Sequence, residues 1–136
     1  MTTTEMLSMV WDWVRTTPLY DAVPTMYFDH FPTGSVNRPG GEFIVINAIS
    51  NTIGEMQIAT FNVNIYVPDL TPRINKEEQH YPNKARLAEL TAIAYDALRC
   101  YPMGDRYFFD ILDESLISEG DIPYTISNIK VQLKNY

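Results

Sequence analysis

The stretch Phe43–Val67 reads FIVINAIS, then NTIGEMQ, then IATFNVNIYV. Phe61, Val63, Ile65 and Val67 alternate with Asn62, Asn64 and Tyr66. Successive strand side chains point to opposite faces, so this is one apolar and one polar face. Phe43–Ile49 is a nearly unbroken apolar run, the pattern of a central strand. Between the two lie Asn51 and Gly54, which tolerate the backbone angles of a turn. The pattern predicts a long antiparallel hairpin. No residue in it suggests a reaction.

Working outward toward the N-terminus, Pro32–Gly41 holds two prolines and three glycines and predicts an exposed loop. Before it, the aromatic-rich Thr25–Phe31 (TMYFDHF) predicts a strand. Met6, Leu7, Met9, Val10, Trp13 and Val14 recur at helical spacing behind Thr2–Thr4, which can cap free N–H groups. Glu5 and Asp12 toward the front and Arg15 at the rear suit the helix dipole. Pro18 is expected to stop this helix, and Tyr20–Val23 to be a connector ended by Pro24. Trp11 and Trp13 read as packing residues.

Toward the C-terminus, Pro68 ends the second hairpin strand. Asp69–Pro82 (DLTPRINKEEQHYP) is polar without a clear period. It exceeds an ordinary connection, which favours a partner-contacting loop. In Asn83–Leu98, Leu87, Leu90, Ala94, Ala97 and Leu98 form one helical stripe, and Pro82 sits well at the start. Arg106–Leu112 predicts a strand and Asp113–Pro123 an acidic turn. Tyr124–Leu133 predicts a final strand paired with Arg106–Leu112. Helix, strand, hairpin, long loop, helix and two strands make an α+β fold. The expected form is a mostly antiparallel sheet with a long central hairpin, covered on one face by two helices.

At 136 residues the chain fits one domain, 1–136, with a real core. A hydrophobic content of 46% excludes general disorder. A net charge of −7 argues against a free-standing nucleic-acid binder, though not against a protein that surrounds DNA without gripping it. No apolar run approaches the ~20 residues of a membrane span, and MTTTEML lacks the features of a signal peptide. Synthesis in the cytoplasm is the expectation. Cys100 is the only cysteine, which rules out an intrachain disulfide or a cysteine-based zinc cluster.

Candidate chemistry is sparse. His30 adjoins Asp29, and His80 follows Glu77 and Glu78, but a metal or acid–base role needs such groups to converge, and no HExxH-type pair is present. Asp110, Asp113, Glu114, Glu119 and Asp121 lack the spacing of a calcium loop. Gly40-Gly41 is not followed by a phosphate-loop pattern, and no serine sits in a nucleophile elbow. The expectation is no catalytic residue, no cofactor and no metal.

The order MLSMVWDWVRTTPLYDAV, TMYFDHFP, GEFIVINAI, TFNVNIYVPD, NKARLAELTAIAYDAL and a closing strand pair resembles the small tail-terminator and tail-completion (head–tail joining) proteins of long-tailed bacteriophages. The resemblance implies a structural phage or prophage protein made in the bacterial cytoplasm. It implies a homo-oligomeric ring, commonly of six subunits, at the head-proximal end of the tail in the virion. The implied partners are further copies of the chain, tail-tube proteins and head-connector proteins. DNA would pass through the ring without specific binding, and no membrane is involved. The long Asp69–Pro82 loop and the acidic turn depart from the pattern. Candidate subunit-contact residues are Tyr27, Phe28, Asn51, Glu55, Gln57, Tyr66, Arg73, Lys76 and Tyr81, chosen as aromatics and polar loop residues beside strand ends. Two other readings stay open. One is a small α+β module binding a ligand or protein; the other is an enzyme using Asp29, His30 or His80.

Overall fold

The structure, a computed structural model, describes residues 2–30, 41–54, 56–70, 73–74, 77–78, 81–98, 101–103, 107–118 and 122–135. Helix α1 (Thr3–Arg15) starts where the Thr2 hydroxyl accepts from the Glu5 N–H at 3.1 Å. Met6, Val10 and Val14, four residues apart, are its buried stripe. Pro18 does not simply end a helix. It opens a second, short one, α2 (Pro18–Ala22), which takes in most of Tyr20–Val23, the segment expected as a connector. Proline suits a first helical position because its missing N–H would be unpaired there, and Leu19 buries completely behind it.

Strand β1 (Met26–Phe28) is shorter than the expected Thr25–Phe31; Phe31 lies outside the described residues. It ends at Asp29, whose φ of 61° is left-handed, a conformation that aspartate adopts more readily than most residues. Strands β2 (Phe43–Thr52) and β3 (Gln57–Pro68) follow, then a two-stranded ribbon of β4 (Arg73–Ile74) and β5 (Glu77–Glu78). That ribbon corrects the reading of Asp69–Pro82 as aperiodic loop. Its two arms pair antiparallel, and Leu70 and Tyr81 exchange backbone hydrogen bonds of 2.7 and 2.9 Å at its base. Helix α3 (Lys84–Leu98), β6 (Tyr101–Met103), β7 (Tyr107–Ser118) and β8 (Tyr124–Asn135) complete the chain.

Six strands form one sheet in the order β1-β2-β3-β8-β7-β6. The β1–β2 pairing is parallel and the other pairings of this sheet are antiparallel, so the sheet is mixed and the class is α+β. The expected acidic turn at Asp113–Pro123 is overturned: residues through Ser118 continue β7 along β8. The cause is a register shift between Ile111 and Asp113. Before it, Phe109 and Ile111 lie opposite Leu133 and Val131; after it, Glu114 and Leu116 lie opposite Ile129 and Ser127. The inward parity changes from odd to even, which hides a continuous strand from a period-2 reading.

Two clusters fill the molecule. The larger joins Met6, Val10 and Val14 of α1 and Leu87, Leu90 and Leu98 of α3 to Ile44, Ile46, Phe61, Val63, Ile65, Ile129, Val131 and Leu133 of the sheet. Trp13 Nε1 donates to the Ala97 carbonyl at 3.1 Å, which ties α1 to the end of α3. The smaller cluster gathers Phe43, Val45, Tyr66, Ile122, Tyr124 and Ile126, residues of alternate parity and therefore of the opposite sheet face.

This division has a measurable signature. Phe61→Ala removes a side chain that is 0% exposed and is expected to cost about 3–5 kcal/mol of unfolding free energy. Thr60→Ala, half-buried one residue away, should cost about 1 kcal/mol or less. Urea unfolding followed by circular dichroism measures both, and equal losses would contradict the assigned faces.

Candidate functional site

The contact candidates divide into several environments. Phe43 stacks on Tyr66 with ring centroids 4.4 Å apart and meets Tyr124 and Tyr27 edge-on at 5.4 and 5.9 Å. Tyr66 is therefore buried, and Tyr27 packs half-buried against the same cluster. Tyr124 Oη donates to the Gly41 carbonyl at 3.0 Å, anchoring the start of β2. Phe28 is 41% exposed and stacks on Trp11 at 4.0 Å, joining β1 to α1.

Asn51 and Gln57 come together at the far end of the hairpin. Gln57 Nε2 donates to Asn51 Oδ1 at 3.0 Å, and Asn51 Nδ2 donates to Thr3 Oγ1 at 3.2 Å. They brace the hairpin against the first turn of α1. Tyr81 is exposed at the base of the β4–β5 ribbon, far along the sequence from this brace. Arg73 lies in β4, and Glu55 and Lys76 lie outside the described residues. His30 is exposed beyond β1, and His80 also lies outside the described residues. Among the described residues no group of three or more His, Cys, Asp or Glu could hold a metal ion, and no helix is long and apolar enough to cross a membrane.

Three further features escaped the sequence reading. The first is an amide ladder across the sheet. Asn128 Nδ2 donates to Asn62 Oδ1 at 3.0 Å and Asn64 Oδ1 at 2.5 Å, and Lys130 Nζ donates to Asn128 Oδ1 at 3.2 Å. Asn47 Oδ1 on the neighbouring strand is buried with no partner among the described residues. Only the β3–β8 register, which sets Asn64 against Asn128, brings these amides together. The second is a bidentate ion pair. Arg86 of α3 reaches both carboxylate oxygens of Glu42 at 2.7 and 2.8 Å and also pairs with Glu89 at 3.2 Å. The hydrogen bond to Glu42 is the main reason its pKa is raised above the ordinary arginine value, so the guanidinium holds its charge.

The third is an open groove of about 270 Å³ between α3 and β7, lined by Lys84, Leu87, Ala88, Thr91, Glu114 and Leu116. Beside it the Thr91 and Ser127 hydroxyls are 2.7 Å apart. The groove is open because β7 runs on past the short β6, leaving Leu116 57% exposed. The usable signal was present: Tyr107–Ser118 contains neither Gly nor Pro, and the first such residue after it is Gly120.

Comparison of the sequence with protein-family models and with curated proteins finds no match.

The Arg86–Glu42 pair is the element here whose energy is directly testable. Both side chains are about a quarter exposed, so solvent screens the pair in part. A double-mutant cycle with Arg86→Met and Glu42→Gln is expected to give a coupling of about 1 kcal/mol. Chemical denaturation measures it, and a coupling near zero would show that packing alone sets the α3 position.

Proposed function

We propose that the chain is a structural subunit that assembles with copies of itself, in the manner of a phage or prophage tail terminator. The β2–β3 hairpin supplies one of the two central strands of the sheet in this reading, and α1 and α3 are the cover of one face. The ring caps the tail tube, and its free end forms the surface that joins the filled head. The negative balance of the chain suits a bore through which DNA passes without being held.

The observation that carries this reading is the distribution of exposed apolar side chains. Ile49 and Ile53 are 48% and 81% exposed along β2 and beyond its end, and Leu112, Leu116 and Ile117 are 56%, 57% and 45% exposed on β7. Single exposed apolar residues are ordinary. These fall toward the two opposite edges of one sheet, and a cyclic assembly needs two different, separated contact surfaces. The element order supports the reading independently.

The second reading, a small binding module, rests on the groove between α3 and β7. At about 270 Å³ it lies at or below the lower end of small-molecule sites. The geometry favours assembly.

Light scattering coupled to size exclusion is expected to show a closed oligomer at high protein concentration. In a phage that carries the gene, its deletion is expected to leave filled heads and separate tails of irregular length. Normally joined particles with tails of ordinary length would reject the terminator assignment.

A further inference from the structure

Among the described residues, the two lateral edges of the sheet are each half covered, and at opposite ends. On one side, β1 pairs with β2 only over Ile44–Ile46. Among the described residues the outer side of β2 from Asn47 to Thr52 has no strand beside it. On the other side, β6 pairs with β7 only over Tyr107–Phe109, and the outer side of β7 from Asp110 to Ser118 is likewise open. The register through β3 and β8 places Tyr107 level with Gln57 and Ser118 level with Val67. The open half of β2 is therefore at the hairpin-tip end of the sheet and the open half of β7 at the opposite end. Because β2 and β7 are three antiparallel steps apart, they run in opposite directions. The two edges have the shape of a half-lap joint.

We propose that the open half of β7 in one subunit pairs antiparallel with the open half of β2 in the next, in the register that sets Ser115 opposite Ser50. The occupant of each edge is a second copy of this chain. The inference rests on the assembly reading and names its contact. Neither open half contains a proline, so backbone pairing is possible along both. Pro102 in β6 blocks continuous addition beyond the covered half. The faces also match. Ser115 lies opposite Asn128 and Ser50 opposite Thr60, so both point away from the helix-bearing cluster.

Charge selects this pairing over a symmetric one. The open half of β7 carries Asp110, Asp113 and Glu114, and that of β2, NAISNT, carries no charge. Two β7 edges would bring like charges together. In the proposed register Glu114 meets Asn51, whose amide is hydrogen-bonded to Thr3 in the first turn of α1. The positive end of the helix dipole there favours a carboxylate. Leu116 comes level with the β2 register shift between Ala48 and Ser50, where the extra residue Ile49 is also exposed. The joint offsets successive subunits by roughly 13 Å, about four residues of strand, since Ser115 is level with Asn64 and Ser50 with Thr60. A closed ring absorbs that offset by inclining its strands to the ring axis, as a barrel does.

Disulfide trapping tests the register. Ser50→Cys and Ser115→Cys are made as separate chains on a Cys100→Ala background, mixed at concentrations where light scattering shows assembly, and oxidised with diamide. Directly opposed residues of an antiparallel pair are close enough for a disulfide. The expected product is the mixed S50C–S115C dimer, in clear excess over its share in random pairing, with the doubly substituted chain giving a ladder. A main product of S50C with S50C, a random mixture, or no cross-link in assembled protein would overturn the edge pairing while leaving assembly intact. If no oligomer and no cross-link form at any concentration, both the pairing and the assembly reading fall.

Discussion

Strand β3 has another strand on each side along nearly its whole length, β2 on one side and β8 on the other. That double pairing is the constraint on which the remaining structure depends. A slip of one residue would exchange every side chain between faces. Phe61, Val63 and Ile65 would leave the helices, and Asn62 and Asn64 would enter the apolar core. The register of β3 against β8 runs from Gln57 to Pro68 without a shift. Both register shifts in the sheet occur one strand further out, in the β2–β3 and β7–β8 pairings. The centre is thus held strictly, and the bends that twist and trim the sheet are placed toward its margins, where a bulge disturbs fewer neighbours.

The parts of the fold legible in the sequence are those in which one local signal acts alone. The alternation at Phe61–Val67 and the helical stripe at Leu87–Leu98 each have a single period, and the α+β class follows from their order. The second half of β7 was illegible because a bulge reversed its parity, and the acidic residues that followed resembled a turn. The β4–β5 ribbon was illegible because strands of two residues carry no period. Pro18 was ambiguous on its own terms, since the residue that cannot continue one helix is well suited to begin another.

The candidate contact residues were harder to read than the fold. Aromatic side chains serve interfaces and cores alike: Tyr66 is buried, while Phe28 is 41% exposed and stacks on Trp11. What separates them is the neighbour on the polar face of the sheet. Phe43 and Tyr124 cover Tyr66 because β2 and β8 flank β3, a fact of topology rather than of local sequence. Asn51 and Gln57 were identifiable as polar residues near a turn, but their bond to each other and to Thr3 depends on where α1 lies.

The place of β8 has a further consequence, for how the chain is made. β8 is the last strand in sequence and lies between β3 and β7, with hydrogen-bonded partners on both sides. Before it emerges from the ribosome, β1, β2 and β3 can form one ribbon and β6 and β7 another, but nothing bridges them. During that interval the inner edges of both ribbons are open, one of them β3, which carries Phe61, Val63 and Ile65 of the core. The decisive contacts, such as Phe61 with Val131, are separated by about half of the chain, and long-range pairing of this kind is slow. The nascent chain therefore spends its synthesis with its stickiest edges unmatched, and cooperative folding waits for the closing segment to slot between them.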